Sequence, residues 1–177
     1  SASLEHPGVL VQHGPILRVV FGPRDPSYIS PILSAIQSDL CESGIDGVLS
    51  THIQRDALEK FSYVSPIGAA GVYLHAVAGD FQKEGPAREL FKSMIREISA
   101  LAAAMGYPFE KDYVKINLEI LSNLSADATT SMQRDIMEGK PSELDGLVME
   151  PLRLAKKYSV SMPCYEEVAK VLCPLEF

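Results

Sequence analysis

Long apolar runs, clustered basic residues and paired cysteines are all missing from this sequence. No stretch approaches the roughly 18 consecutive apolar residues of a membrane span, and the N-terminus lacks a charged region leading into an apolar one. Neither a membrane partner nor a signal peptide is expected. The formal net charge is -7, and no lysine/arginine cluster is interleaved with aromatics, which argues against nucleic acid as a partner. Cys41, Cys164 and Cys173 are odd in number, scattered and without CxxC spacing, so a reducing compartment, the cytoplasm, fits better than a disulfide framework. The glycine-rich dinucleotide turn GxGxxG, the P-loop, HExxH and GxSxG are also absent. His6, His13, His52 and His75 are dispersed without ligand spacing, so no metal site is expected.

What remains is a chain of 177 residues, 46% hydrophobic, sufficient for the core of one domain. Residues 8–13 and 16–21 are β-rich runs separated by Gly14-Pro15, which predicts two paired strands with a tight connection. From Ser27 to about Ser43, Ile29, Ile32, Leu33, Ile36 and Leu40 recur at helical spacing, and Gly44 follows as a C-terminal cap. A short strand is expected at Gly47 to Ser50. From His52 onward the pattern is helical, which sets a domain boundary at 51/52 and gives a β-containing N-terminal part followed by roughly six helices. The start at Ser1, rather than Met, just ahead of a strand-like segment suggests a fragment.

The first helix is expected from about Gln54 to Ala78, with a kink at Pro66 and close packing at Gly68–Gly71. Leu90, Phe91, Met94, Ile95, Ile98, Leu101 and Ala102 trace one face of a long amphipathic helix ending at Gly106-Tyr107-Pro108. Further helices are predicted at about Asp112–Asn123, Thr130–Glu138, Glu143–Tyr158 and Cys164–Leu172. Ser142 is read as an N-cap and Pro163 as a first-turn proline.

Three features could carry chemistry, and each also has a plain structural reading. Lys60 is either a solvated helical charge or an ammonium at a cleft opened by the proline and the small residues beyond it. Thr129-Thr130-Ser131 either caps a helix or presents hydroxyl and N–H groups to a carboxylate. Glu143 suits the first turn of a helix on macrodipole grounds alone.

Taken in order, the segments Thr130-Ser131-Met132-Gln133-Arg134-Asp135, Gly139-Lys140-Pro141-Ser142-Glu143-Leu144-Asp145-Gly146 and Ala155–Pro163 resemble the ketopantoate reductase (2-dehydropantoate 2-reductase) family. Pro7-Gly8-Val9, Phe21-Gly22 and Leu40–Ile45 are similar to the end of that family's nucleotide-binding domain. The resemblance implies a mainly α fold: a helical C-terminal domain of the 6-phosphogluconate dehydrogenase C-terminal-like type over 52–177, serving substrate binding and dimerisation. Residues 1–51 would be the remnant of a Rossmann domain, and NADPH would bind through the preceding part of that domain. The isolated chain would then hold no cofactor and be inactive.

By position in the family pattern, Lys60 and Glu143 are implied as catalytic, Lys60 as general acid and Glu143 as a contact to substrate hydroxyl that organises the lysine. Ser131 and Thr130 are implied to bind substrate, with Asp135 behind them. The sequence departs from the pattern at Val64 and Gly68, where the family commonly has asparagine, and at Leu58, where it has tryptophan. Ketopantoate and a different small 2-keto acid both stay open as substrate. A non-catalytic binding or homodimerisation module is the alternative from another functional class.

Overall fold

The computed structural model describes residues 2–12, 17–25, 27–28 and 30–174, without the side chains of residues 2, 3 and 12. The chain is mainly α-helical with a small β-containing N-terminal portion. It divides into two compact units, Ser1–Asp56 and Ala57–Phe177.

In the first unit β1 (Ala2–His6) pairs antiparallel with β2 (Val9–Gln12) across Pro7-Gly8. β3 (Arg18–Phe21) pairs in parallel with β4 (Asp46–Leu49), and α1 (Pro31–Glu42) lies between them in sequence. Parallel neighbours need a crossover, which a helix supplies, so β3-α1-β4 is a βαβ unit. The expected pairing of 8–13 with 16–21 is therefore wrong: β2 belongs to β1 and β3 to β4. The reason is legible afterwards, since Val19-Val20-Phe21 is a continuous apolar run of the kind parallel strands carry, rather than an alternating hairpin strand. The expected connection at Gly14-Pro15, with His13 and Ile16, lies outside the described residues.

The helix expected from Ser27 begins at Pro31, which occupies its first turn; Ile29 lies outside the described residues. It ends as expected at Gly44, whose φ of 79° lets Ile45 N–H reach back to the Leu40 carbonyl at 2.9 Å. Gln37 Nε2 donates to the Gly47 carbonyl at 3.0 Å and ties α1 to β4.

The second unit is built on α2 (Ile53–Leu74), α3 (Ala78–Gln82), α4 (Pro86–Ala104), α5 (Tyr113–Ser122), α6 (Ser131–Met137), a π-turn (Asp145–Met149), α7 (Glu150–Tyr158) and α8 (Pro163–Leu172). No helix among the described residues is long and apolar enough to cross a membrane. The amphipathic face read from the sequence of α4 is the centre of the core: Phe91, Met94, Ile95, Ile98 and Ala102 are fully buried and Leu101 nearly so. Each large side chain among them contributes roughly 1.5–3 kcal/mol by leaving water. α3, α5, α7 and α8 all pack on this helix. Glu97, on another face of α4, accepts from Cys164 N–H at 2.8 Å and Tyr165 N–H at 3.1 Å, capping α8 where Pro163 starts it. Burial, followed by this carboxylate, pushes the Cys164 thiol up to about 11.

Helix α2 stops at Leu74 instead of running to Ala78. His75 takes φ 52°, Ala76 N–H bonds the Gly71 carbonyl at 3.0 Å and His75 N–H the Val72 carbonyl at 3.3 Å. This is the Schellman arrangement that usually recruits glycine, and a histidine in that place gives no sequence warning.

Within α2, Pro66 removes the N–H that the Ser62 carbonyl would accept four residues earlier. Asn117, 1% exposed on α5, replaces it: its Nδ2 donates to the Ser62 carbonyl and to Ser62 Oγ, each at 3.1 Å. One turn further on, α2 packs against the Gln133 amide, and a Cβ at Gly71 would stand 2.7 Å from its Cδ. That amide donates to the Ala76 carbonyl at 2.8 Å and accepts from Thr130 N–H at 2.9 Å. The close approach anticipated at Gly68–Gly71 is thus occupied by α6.

Asn117→Leu leaves the Ser62 carbonyl buried and unpaired, and chemical denaturation should show a loss of about 1–3 kcal/mol. The same substitution in a Pro66→Ala background, where residue 66 regains its N–H, should cost measurably less; equal losses would show that Asn117 does not compensate for the proline. Gly71→Ala should displace the Gln133 amide and lower stability by roughly 1–3 kcal/mol, checked by the same measurement and by loss of protection of the Thr130 amide in hydrogen exchange.

Candidate functional site

Lys60 is exposed on α2, and Val64 and Gly68 follow it at successive turns of the same face. At Gly68 three elements meet. A Cβ placed there would lie 3.1 Å from Met132 Cε on α6, 3.9 Å from Thr130 Oγ1 at the start of α6, and 3.9 Å from Leu147 Cδ1 in the π-turn. The segments bearing Lys60, Ser131 and Glu143 therefore converge, and the convergence leaves no room for an asparagine at Gly68 unless Met132 moves.

At the start of α6 the two hydroxyls are in different states. Thr130 Oγ1 accepts from Gln133 N–H at 3.2 Å and donates to Gln133 Oε1 at 3.1 Å, so its proton is committed to the capping box. Ser131 is exposed and makes no side-chain hydrogen bond among the described residues. Of the two, Ser131 is the hydroxyl with a proton to offer. Asp135 is half-buried in the middle of the same helix.

Glu143 is exposed in a bend ahead of the helix instead of within its first turn, and its carbonyl accepts from Leu147 N–H at 2.9 Å. Ser142 is not the N-cap: Leu144 holds that position and makes no side-chain cap bond. The helix predicted from Glu143 to Tyr158 opens with the π-turn, closed by Glu150 N–H on the Asp145 carbonyl, and becomes α7 only at Glu150. Pro151 gives the cause, because the Leu147 carbonyl four residues earlier loses its donor and must clear the proline ring. Ser65 Oγ donates to that carbonyl at 2.6 Å. A carbonyl can only accept, so the single Ser65 proton lies there and the Tyr165 hydroxyl donates to Ser65 Oγ. Ser65 and Tyr165 are both fully buried, and burial pushes the Tyr165 phenol far up. On the outside of the turn Arg153 pairs with Asp145 and Glu150.

Beside the start of α6 lies a pocket of about 170 Å³, lined by Tyr63, Ile67, Phe81, Thr129, Thr130 and Gln133 among others. The Tyr63 hydroxyl is buried without a partner among the described residues. A second pocket, about 200 Å³ and apolar, is lined by Leu58, Phe61, Ile98, Leu101, Gly146 and Pro151 among others. Asn117 and Tyr165 were not singled out from the sequence, and Ser65 enters there only as a hydroxyl that could stand in for the polar groups absent at Val64 and Gly68. The available signal was the pair of helical prolines, each of which asks what takes the carbonyl four residues before it.

The chain matches the family model of the ketopantoate reductase PanE/ApbA C terminal over residues 52–176. No curated protein sequence matches it significantly. Among solved structures, 2-dehydropantoate 2-reductase from Methylococcus capsulatus is similar with a TM-score of 0.85 and 23% identity, over 99% of this chain and 56% of that one. D-mandelate dehydrogenase with NADH and anilino(oxo)acetate gives 0.80 and 19%, over 96% of this chain and 55% of that one. A dimeric ketopantoate reductase from Staphylococcus aureus gives 0.79 and 19%, over 97% and 57%. The chain spans a little over half the length of these proteins, and the structural likeness carries the fold. With the family match covering the whole helical unit, the chain belongs to the ketopantoate reductase family, as its C-terminal domain.

Proposed function

We propose that this chain is the substrate-binding part of an NADPH-dependent reductase of ketopantoate or a related 2-keto acid, with residues 1–51 belonging to the nucleotide-binding domain and 52–177 forming the substrate and dimerisation domain. The observation that carries the reading is the convergence at Gly68 of the three segments bearing Lys60, Ser131 and Glu143. The βαβ unit supports the rest: Val19 and Val20 are 42% and 40% exposed, as suits part of a larger parallel sheet, since such sheets are normally covered on both faces.

The chain's own described residues do not fit a dinucleotide. Neither β3 nor β4 leads through a glycine-rich turn into a helix, and the pockets described contain no such cradle. The hydride donor belongs to other residues of the full-length protein, and the 177-residue chain alone is expected to be inactive. What this chain supplies is the acid side of the reaction. As a 2-keto acid is reduced, negative charge builds on the carbonyl oxygen; the Lys60 Nζ stabilises it and gives up a proton. Ser131 donates a hydrogen bond to the substrate, Thr130 lies next to it, and Glu143 orients the lysine and accepts from a substrate hydroxyl. Asp135 acts behind them.

Val64 and Gly68 offer the substrate no hydrogen bond, which favours a 2-keto acid less polar than ketopantoate. With ketopantoate as substrate the protein would serve pantothenate biosynthesis in the cytoplasm. Homodimerisation is supported by the dimeric relative from Staphylococcus aureus.

The test is NADPH oxidation by the full-length protein with ketopantoate and a panel of 2-keto acids. Lys60→Ala should lower kcat by about 100-fold or more with NADPH affinity unchanged, and Ser131→Ala should raise KM for the keto acid by roughly tenfold. No turnover on any panel member, or full turnover by Lys60→Ala, would overturn the reading.

A further inference from the structure

Two prolines interrupt helices of the second unit. The compensation at Pro151 reaches from the middle of α2 to the segment that carries Glu143. The bonds form a chain: Tyr165 O–H to Ser65 Oγ, Ser65 O–H to the Leu147 carbonyl, and Leu147 N–H to the Glu143 carbonyl. Every side chain in it is fully buried, so no water competes for these bonds. Ser65 sits between Lys60 and Gly68 on one helix, and Leu147 touches the Gly68 position.

A π-turn holds one residue more than an α-turn, so the backbone ahead of it is rotated by about 100° relative to an unbroken helix. Where Glu143 points therefore depends on the turn staying open. Pro151 prevents the α-helical bond that would close it, and Ser65, oriented by Tyr165, holds the carbonyl that the open turn leaves over.

We infer that Ser65, Tyr165 and Pro151 are positioning residues: together they keep the π-turn open and fix Glu143 relative to Lys60. The inference rests on the proposed roles of those two residues. It links two features that act on one carbonyl beside the site: the hydroxyl pair buried in an apolar core, and the proline at the junction of the π-turn and α7. Alanine at 151 would restore the N–H that the Leu147 carbonyl lacks, and phenylalanine at 165 would remove the donor that orients Ser65.

Pro151→Ala and Tyr165→Phe in the full-length protein provide the test. Pro151→Ala restores the N–H, lets the Leu147 carbonyl close an α-helical bond and rotates Glu143 away. Its melting temperature should be unchanged or raised while kcat falls by about tenfold or more. Tyr165→Phe, which frees Ser65 Oγ to turn, should lower kcat in the same direction, with NADPH affinity unchanged in both. If Tyr165→Phe fails to fold, Pro151→Ala decides alone, because a stabilised enzyme with lowered turnover cannot be explained by lost structure. Wild-type kcat and KM in a folded Pro151→Ala protein would overturn the inference. Lys60→Ala and Glu143→Gln run alongside: if they are inactive while Pro151→Ala is wild-type, the positioning role fails and the reductase site stands. If they keep full turnover, the site itself is misassigned and the positioning role falls with it.

Discussion

The helical unit depends on how it satisfies two main-chain carbonyls that its own prolines orphan. Pro66 leaves the Ser62 carbonyl without a helical donor and Pro151 does the same to Leu147. A buried unpaired carbonyl costs as much as a lost hydrogen bond, so a partner must come from elsewhere. Asn117 on α5 supplies the first and Ser65 on α2 the second. Each repair is made by a different helix, so the breaks become cross-links. α5 is tied to α2 through Ser62, and α2 is tied to the π-turn and α8 through Ser65 and Tyr165. The apolar face of α4 is the surface on which α3, α5, α7 and α8 pack, but these polar links choose among the ways that face could be covered.

The same links place the candidate site. α2 carries Lys60 on its exposed side and, two turns later, a glycine at which any side chain would crowd Met132 Cε. Gln133 lies flat on Gly71 and holds the first turn of α6, which leaves Ser131 exposed while Thr130 is committed to its cap. Small residues on α2 thus decide how near α6 can come, and the repaired breaks decide where the turn after Glu143 runs.

Much of this was legible in the sequence. Periodicity gave α4 its buried face and placed α5 and α6 to within a residue at each end. Gly44 marked the end of α1, and the ordered pattern around Ser131, Glu143 and Pro163 pointed to the family. Three features were misread for definite reasons. The pairing of β3 was assigned to its neighbour in sequence, because spacing says nothing about a crossover. The end of α2 was missed because histidine stands where a left-handed cap usually has glycine. Ser142 reads as a cap because serine commonly is one, but the helical segment starts after Leu144 with no side-chain cap, and Pro151 bears only on the π-turn that follows.

Sequence alone determined the helical class, the core face of α4, the family and the residue types available for chemistry, since each follows from local spacing or an ordered pattern. Tertiary structure decided which of those residues are free to act. Ser131 and Thr130 are adjacent and chemically alike, and only the position of Gln133 shows that one hydroxyl proton is committed. Ser65, Asn117 and Tyr165 look like ordinary polar residues at helical spacing until the fold brings them to the carbonyls that two prolines left open. For Ser65, Asn117 and Tyr165 the physical reason is that hydrogen-bond satisfaction is settled across elements far apart in the chain, where no local pattern records it; Thr130 and Gln133 are only three residues apart, and there the structure decides by closing the capping box.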